Sequence, residues 1–228
     1  MICDNLQYIR DRINRTARRC GRDPDTIRLV AVSKRMEVEK ILQAADCGQL
    51  LFGENYLQEA REKIAAVDGK LLWHFIGHLQ SNKARQAAGL FDMVETVDRF
   101  KIAAALSRYS LELGKRLDIL IQVNIGRERS KSGVSPEKTA DLLAQVNPLA
   151  GIRVRGLMTM PPYTSDPEDS RKFFARLRRL AEELSARGLL GRETGVELSM
   201  GMSRDFVIAI EEGATLVRVG TAIFGERS

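Results

Sequence analysis

Residues 27–34 read IRLVAVSK, a short apolar run rich in β-branched residues that closes on a serine and a lysine. A run of this length, bounded by polar residues, is the signature of a buried strand. The pattern returns at 50–53 (LLFG), 71–76 (LLWHFI), 93–97 (MVETV), 119–124 (ILIQVN), 154–159 (VRGLMT), 196–199 (VELS) and 215–219 (TLVRV). Longer amphipathic stretches separate these runs, at 37–47, 55–67, 80–89, 99–114, 136–146, 167–187 and 203–212. Their apolar residues recur at helical spacing. Ser135-Pro136-Glu137 is a helix start, with a cap followed by proline at the first helical position. Gly114 and Gly188 are stops. A further helix, about 4–19, precedes the first strand.

Strands that alternate with helices make successive βαβ units and a parallel sheet. Eight strands with seven helices between them predict a closed (β/α)8 TIM barrel with an extra N-terminal helix, rather than an open doubly wound sheet. Neither a G-x-G-x-x-G nor a Walker-type loop follows any strand. No Pro/Gly/Ser-rich linker divides the chain, so residues 1–228 are expected to form a single domain.

The composition is that of a soluble globular protein, with 44% hydrophobic and 29% charged residues. No apolar run approaches the ~20 residues that span a bilayer, and the start lacks a secretory signal. No membrane association is expected. The cysteines, Cys3, Cys20 and Cys47, are odd in number and scattered. That argues against a disulfide framework and for a reducing, cytoplasmic location. The net charge is +6, with arginines gathered at 15–22 and 171–179. Aromatics make up only 6%, and Arg176, Arg178 and Arg179 interleave with leucines at helical spacing. These are read as solvated helix faces rather than a nucleic-acid surface. Attraction of an anionic small molecule is the alternative.

Barrels of this kind carry their chemistry at the C-terminal ends of the strands. Lys34 closes the first strand. Taken alone it is better explained by a lysine reaching for solvent, although desolvation would favour a neutral, nucleophilic amine. The segments after the last two strands, Ser199-Met200-Gly201-Met202-Ser203 and Gly220-Thr221-Ala222, offer glycines, hydroxyls and free N–H groups at the start of a helix or turn. Such groups bind phosphate, although ordinary turns use the same residues. Together they place an amine and an anion cradle across one mouth. Arg218 should share the inward face of Gly220, with Val217 and Val219 turned away. It is read as a partner for an anion or a ring nitrogen, or else for a barrel carboxylate such as Glu54. Asn55 either caps the helix after the second strand or bonds a ligand. His74 and His78, four apart on a strand entering a loop, lack a third ligand, so no metal is expected. The RERSKSG segment, 127–133, reads as a polar loop in which Lys131 is solvated rather than reactive.

The segments VAVSK (30–34), FGENYLQE (52–59), WHFIGHLQSNK (73–83), GLMTM (156–160), ELSMGMSRDF (197–206) and VRVGTAIFGER (217–227) resemble the pyridoxal phosphate (PLP) homeostasis protein family. That family is related to the N-terminal barrel of alanine racemase, a fold type III PLP-dependent architecture. The resemblance runs from the first strand to the C-terminus. It implies a PLP-binding protein that serves vitamin B6 homeostasis, with Lys34 as the Schiff-base lysine. By the same resemblance, Ser199, Met200, Gly201, Ser203, Arg218, Gly220 and Thr221 are phosphate and ring contacts, and Asn55 lies near the cofactor. Whether Arg218 addresses phosphate or the ring nitrogen stays open.

Two-base racemisation needs a second acid–base group, which in alanine racemase-like enzymes comes from a C-terminal β domain. This sequence ends nine residues after Val219. The expectation is therefore a monomeric, non-catalytic carrier whose partners are PLP and apo PLP-dependent enzymes. The alternatives are a low-activity racemase and a cofactor-independent barrel enzyme that binds phosphate esters.

Overall fold

The computed structural model describes residues 1–67, 71–128, 131–191 and 195–225. Arg129 and Ser130 of the 127–133 loop, and residues 226–227 of the last resemblance segment, lie outside them. Eight parallel strands close into a barrel in chain order: β1 (Arg28–Val32), β2 (Leu51–Glu54), β3 (Leu72–Phe75), β4 (Met93–Val97), β5 (Leu117–Gln122), β6 (Ile152–Met158), β7 (Glu197–Ser199) and β8 (Leu216–Val219). The barrel closes where β1 pairs with β8, Val30 opposite Arg218. Between the strands run α2 (Val38–Asp46), α3 (Leu57–Ala66), α4 (Ala84–Leu90), α5 (Phe100–Glu112), α6 (Thr139–Val146), α7 (Arg171–Ala186) and α8 (Phe206–Glu211). The expected N-terminal helix is α1 (Ile2–Arg19). A last short helix, α9 (Thr221–Phe224), has too little sequence to show a helical period.

Two apolar layers follow from the two-residue period of the strands. Val30, Leu51, Met93, Leu120, Met158 and Leu216 form a separate buried cluster that fills the barrel. Their strand neighbours, such as Ala31, Phe52, Val94, Ile119, Leu157 and Val217, belong to the larger cluster between sheet and helices. Inward and outward sets are thereby fixed residue by residue.

The helix signals hold in position but not in every detail. Gly114 (φ +66°) and Gly188 (φ +67°) follow the last residues of α5 and α7 in the left-handed conformation expected of stops. Ser135 precedes a single 3-10 turn, Pro136–Lys138, before α6 begins, and its side chain caps nothing there. Among the described residues, no helix is long and apolar enough to cross a membrane.

The cysteine expectation is corrected. Cys3 at the start of α1 and Cys47 at the end of α2 form a disulfide, their Cα atoms 5.4 Å apart. Helix α1 packs beside α2, where Arg10 Nη1 donates to the Cys47 carbonyl at 2.8 Å. A separation of 44 residues carries no sign of that proximity. Closing a loop of this length in the unfolded chain is worth up to about 4 kcal/mol in the chain-entropy picture. Reduction is accordingly expected to lower the melting temperature by the order of 10 °C. A Cys3→Ser variant should melt at the reduced value and ignore reductant. If reductant leaves the wild-type melting curve unchanged, the bond contributes no stability.

Candidate functional site

A cavity of about 630 Å³ opens at the C-terminal ends of the strands. Alternation along β1 sends Val30, Val32 and Lys34 inward, and Lys34, half-buried, reaches the cavity wall with Val32. Asn55 arrives from β2, Thr96 from β4 and Gln122 from β5, while Arg218, Gly220 and Thr221 come from β8 and the turn into α9. Gly77 lets the end of β3 approach: a Cβ there would sit 2.1 Å from the Asn55 carbonyl oxygen. The helix-cap alternative for Asn55 is not what forms, since α3 takes Tyr56 as its N-terminal flanking residue.

Beneath the cavity, four inward polar residues replace the apolar filling. The His74 ring Nδ1 lies 2.7 Å from Glu95 Oε1. Ser199 Oγ donates to Glu95 Oε2 at 2.5 Å. Arg218 Nη1 donates to Ser199 Oγ, and Nη2 donates to the Thr159 carbonyl at 2.8 Å. Arg218 Nη1 stands 3.7 Å from Glu95 Oε2. All four residues are buried. Burial opposes ionisation of Glu95, yet the bond and charge of His74, the Arg218 charge and the Ser199 hydroxyl hold its carboxyl below the usual range. Burial lowers the Arg218 guanidinium, with Glu95 and Asp205 opposing.

Not every expected residue reaches the cavity. Lys34, Asn55, Ser203, Arg218, Gly220 and Thr221 line it, while Ser199, Met200 and Gly201 do not. Ser199 is committed to Glu95 and Arg218 below, and Met200 is fully buried in the core between sheet and helices. Gly201 adopts φ +91°, and a Cβ there would come 2.5 Å from Ala209 Cβ. It is needed to seat α8 against β8, and its carbonyl accepts the Arg218 N–H at 3.0 Å. The chain meets the cavity one residue later, at Met202. There Asp205 Oδ1 accepts the Met202 N–H at 2.7 Å and shapes the turn that carries Ser203.

The carboxylate facing Arg218 is Glu95, not Glu54. Leu51 points into the barrel, so Glu54, three residues on, points out, and it pairs with Lys63 of α3 instead. Glu95 is inward by the same period from Met93. Lys131 also departs from the solvated reading. It lines the cavity, and its Nζ donates to the Pro161 carbonyl at 2.8 Å and faces Glu128 Oε1 at 3.1 Å. His78 lines the cavity too, its Nδ1 3.2 Å from Ser132 Oγ. The outer rim includes Met160, Pro161 and Tyr163, whose hydroxyl accepts a hydrogen bond from Arg204. The sequence showed no partner for these residues, which come from loops far apart in the chain. No three His, Cys, Asp or Glu among the described residues are grouped as metal ligands.

A half-buried lysine, the Ser203 and Thr221 hydroxyls and a fixed guanidinium around one cavity suit a small ligand with an electrophilic carbon and an anionic group. The model of the alanine racemase N-terminal domain matches residues 5–228. A pyridoxal phosphate homeostasis protein of Aquifex aeolicus is 41% identical, covering 99% of this chain and 98% of that protein. One of Pseudomonas aeruginosa is 45% identical, covering 99% and 96%. Among solved structures, PipY of Synechococcus elongatus, with PLP bound, is 36% identical and superimposes with a TM-score of 0.86, over 99% of this chain and 100% of that one. Alanine racemase of Clostridium difficile shares the fold at 16% identity and a TM-score of 0.74, and this chain spans 60% of its length.

Proposed function

Because the chain belongs to the alanine racemase N-terminal domain family and, within it, to the pyridoxal phosphate homeostasis proteins, we propose that it binds PLP through Lys34 and serves PLP homeostasis without robust catalysis. In this reading residues 1–228 act as one monomeric PLP-binding domain that exchanges cofactor with apo PLP-dependent enzymes. The observation that carries it is the convergence of Lys34, Ser203, Arg218 and Thr221 on one cavity. The donor set fits the group: an amine for an aldehyde, and hydroxyls and early helical N–H groups for a phosphate. Gly220, Thr221 and Ala222 open α9, where the first N–H groups have no partner within the helix.

When bound, PLP supplies the aldehyde that condenses with the Lys34 amine. The protein's part is to orient that amine and to hold the anionic tail. Asn55 shares the cavity wall with Lys34 and is available to the ring's polar edge. Arg218 donates and cannot accept, so against a ring nitrogen it would keep that nitrogen unprotonated and the ring a weak electron sink. The racemase alternative has Tyr163 in its favour, a phenol on the cavity wall, although Arg204 already bonds its oxygen.

The deciding experiment is an absorption spectrum of the purified protein incubated with PLP, followed by borohydride reduction and peptide mapping. A band that bleaches and a phosphopyridoxyl mass on Lys34 are expected. Label on another lysine, or no label, would sink the proposal. Incorporation of solvent deuterium at the α-carbon of amino acids would favour the racemase.

Loss of the Ser203 and Thr221 hydroxyls tests the phosphate end. A hydrogen bond to a charged group is worth about 1.5–3 kcal/mol. Ser203→Ala and Thr221→Ala should therefore each weaken PLP binding at least about tenfold. Equilibrium dialysis that finds the double variant unchanged would move the phosphate elsewhere.

A further inference from the structure

Lys34 is held from behind the barrel wall. Helix α3 carries Glu59 and Lys63 one turn apart, facing the outer side of the β1 end. Lys63 Nζ donates to the Ser33 carbonyl at 2.6 Å, to Glu54 Oε1 at 2.8 Å and to Glu59 Oε1 at 2.5 Å. These three bonds use the three protons of the ammonium. Glu59 Oε1 also accepts the Arg35 N–H. Ser33 Oγ donates to Glu54 Oε1 at 2.7 Å, and the Met36 N–H closes the turn on the Ser33 carbonyl at 3.0 Å. The chain is thus tied to a single turn of α3 immediately before and immediately after Lys34.

The residue between these ties and α2 needs restraint. Arg35 has φ +60°, a left-handed conformation that is rarely populated outside glycine and persists only where the surroundings enforce it. Stability alone is a poor explanation for the cluster. Lys63 is 4% exposed and Glu54 fully buried, and a buried ion pair seldom outperforms apolar packing. Burial pushes the Glu54 carboxyl above its ordinary range even with Lys63 and Ser33 bonded to it. None of Ser33, Glu54, Glu59 or Lys63 lines the cavity, so the cluster acts on the site through the backbone of Lys34.

We propose that Lys63 and Glu59 are positioning residues that clamp the peptides on both sides of Lys34, fixing the direction of its side chain and thereby how long PLP is retained. The inference rests on the reading that Lys34 carries PLP. A fixed lysine keeps its amine at high effective concentration beside the aldehyde. A relaxed turn lets the amine wander and the cofactor hydrolyse off and leave.

Lys63→Met and Glu59→Gln test this, each loaded with PLP. Release is followed by transfer to an apo PLP enzyme in excess. The orientation of the bound chromophore is read from its visible circular dichroism, which a loss of stability alone would not move. Glu59 is partly exposed, so Glu59→Gln should fold normally and decides the matter if Lys63→Met does not fold. Release about tenfold faster in either variant, with the visible dichroism diminished at equal cofactor content, is expected. Wild-type release and dichroism in Glu59→Gln and in any folded Lys63→Met overturns the clamp. Absence of a borohydride-fixed adduct in the wild type overturns the underlying assignment of Lys34 instead.

Discussion

Lys34→Ala is expected to abolish the borohydride-fixed PLP adduct while leaving the melting temperature near the wild-type value. Lys34 is only half-buried and faces the cavity, and the substitution removes no core packing. Replacements of that kind shift stability by about 0.5 kcal/mol or less. What disappears is the one group proposed to bind the aldehyde covalently. Phosphate contacts at Ser203 and Thr221 would remain, so PLP should still bind weakly and reversibly, without label after reduction. Mass spectrometry of the reduced protein checks the first part, and a thermal melt the second. Retention of a fixed adduct in the variant would show that another amine is the anchor.

Glu95→Gln should be the most destabilising single change in the site, by about 3–5 kcal/mol, because it strips the nearest counter-charge from an almost completely buried guanidinium. The amide preserves size, so the loss is electrostatic rather than steric. The pH dependence follows from the same residue. The folded protein holds the Glu95 carboxyl below its ordinary range, so its stabilisation is complete above that range. It is lost as pH falls through the depressed folded value, when the proton discharges the partner of Arg218. Acid should therefore weaken the wild type along a slope that Glu95→Gln lacks. Urea unfolding of both proteins across the acidic range measures this. Parallel curves would show that Glu95 is not the group that couples stability to acid.

Much of the fold was legible because strand burial writes itself into local sequence. Each of the eight apolar runs became a strand within a few residues of its expected bounds, from IRLVAVSK (β1) to TLVRV (β8). The same two-residue period, counted from Val30 and Leu216, put Lys34 and Arg218 inside. Counted with equal care from Leu51 and Met93, it would have turned Glu54 outward and Glu95 inward. The loops were less readable. Ser199 and Ser203 both looked like anion contacts, and nothing in their spacing says that one is absorbed by Glu95 and Arg218 while the other lines the cavity. Lys131 looked solvated because only the fold brings the Pro161 carbonyl to it.

The sequence by itself determined the closed eight-strand barrel and the lysine at its mouth, because period, length and strand-end position are local properties that survive without neighbours. Tertiary structure alone decided the pairings: Cys3 with Cys47, Glu95 with Arg218, and Lys63 with the carbonyl that precedes Lys34. Each joins residues from different elements. Their partners are chosen by which surfaces the closing barrel brings within hydrogen-bonding reach, and a single chain read in order carries no record of that.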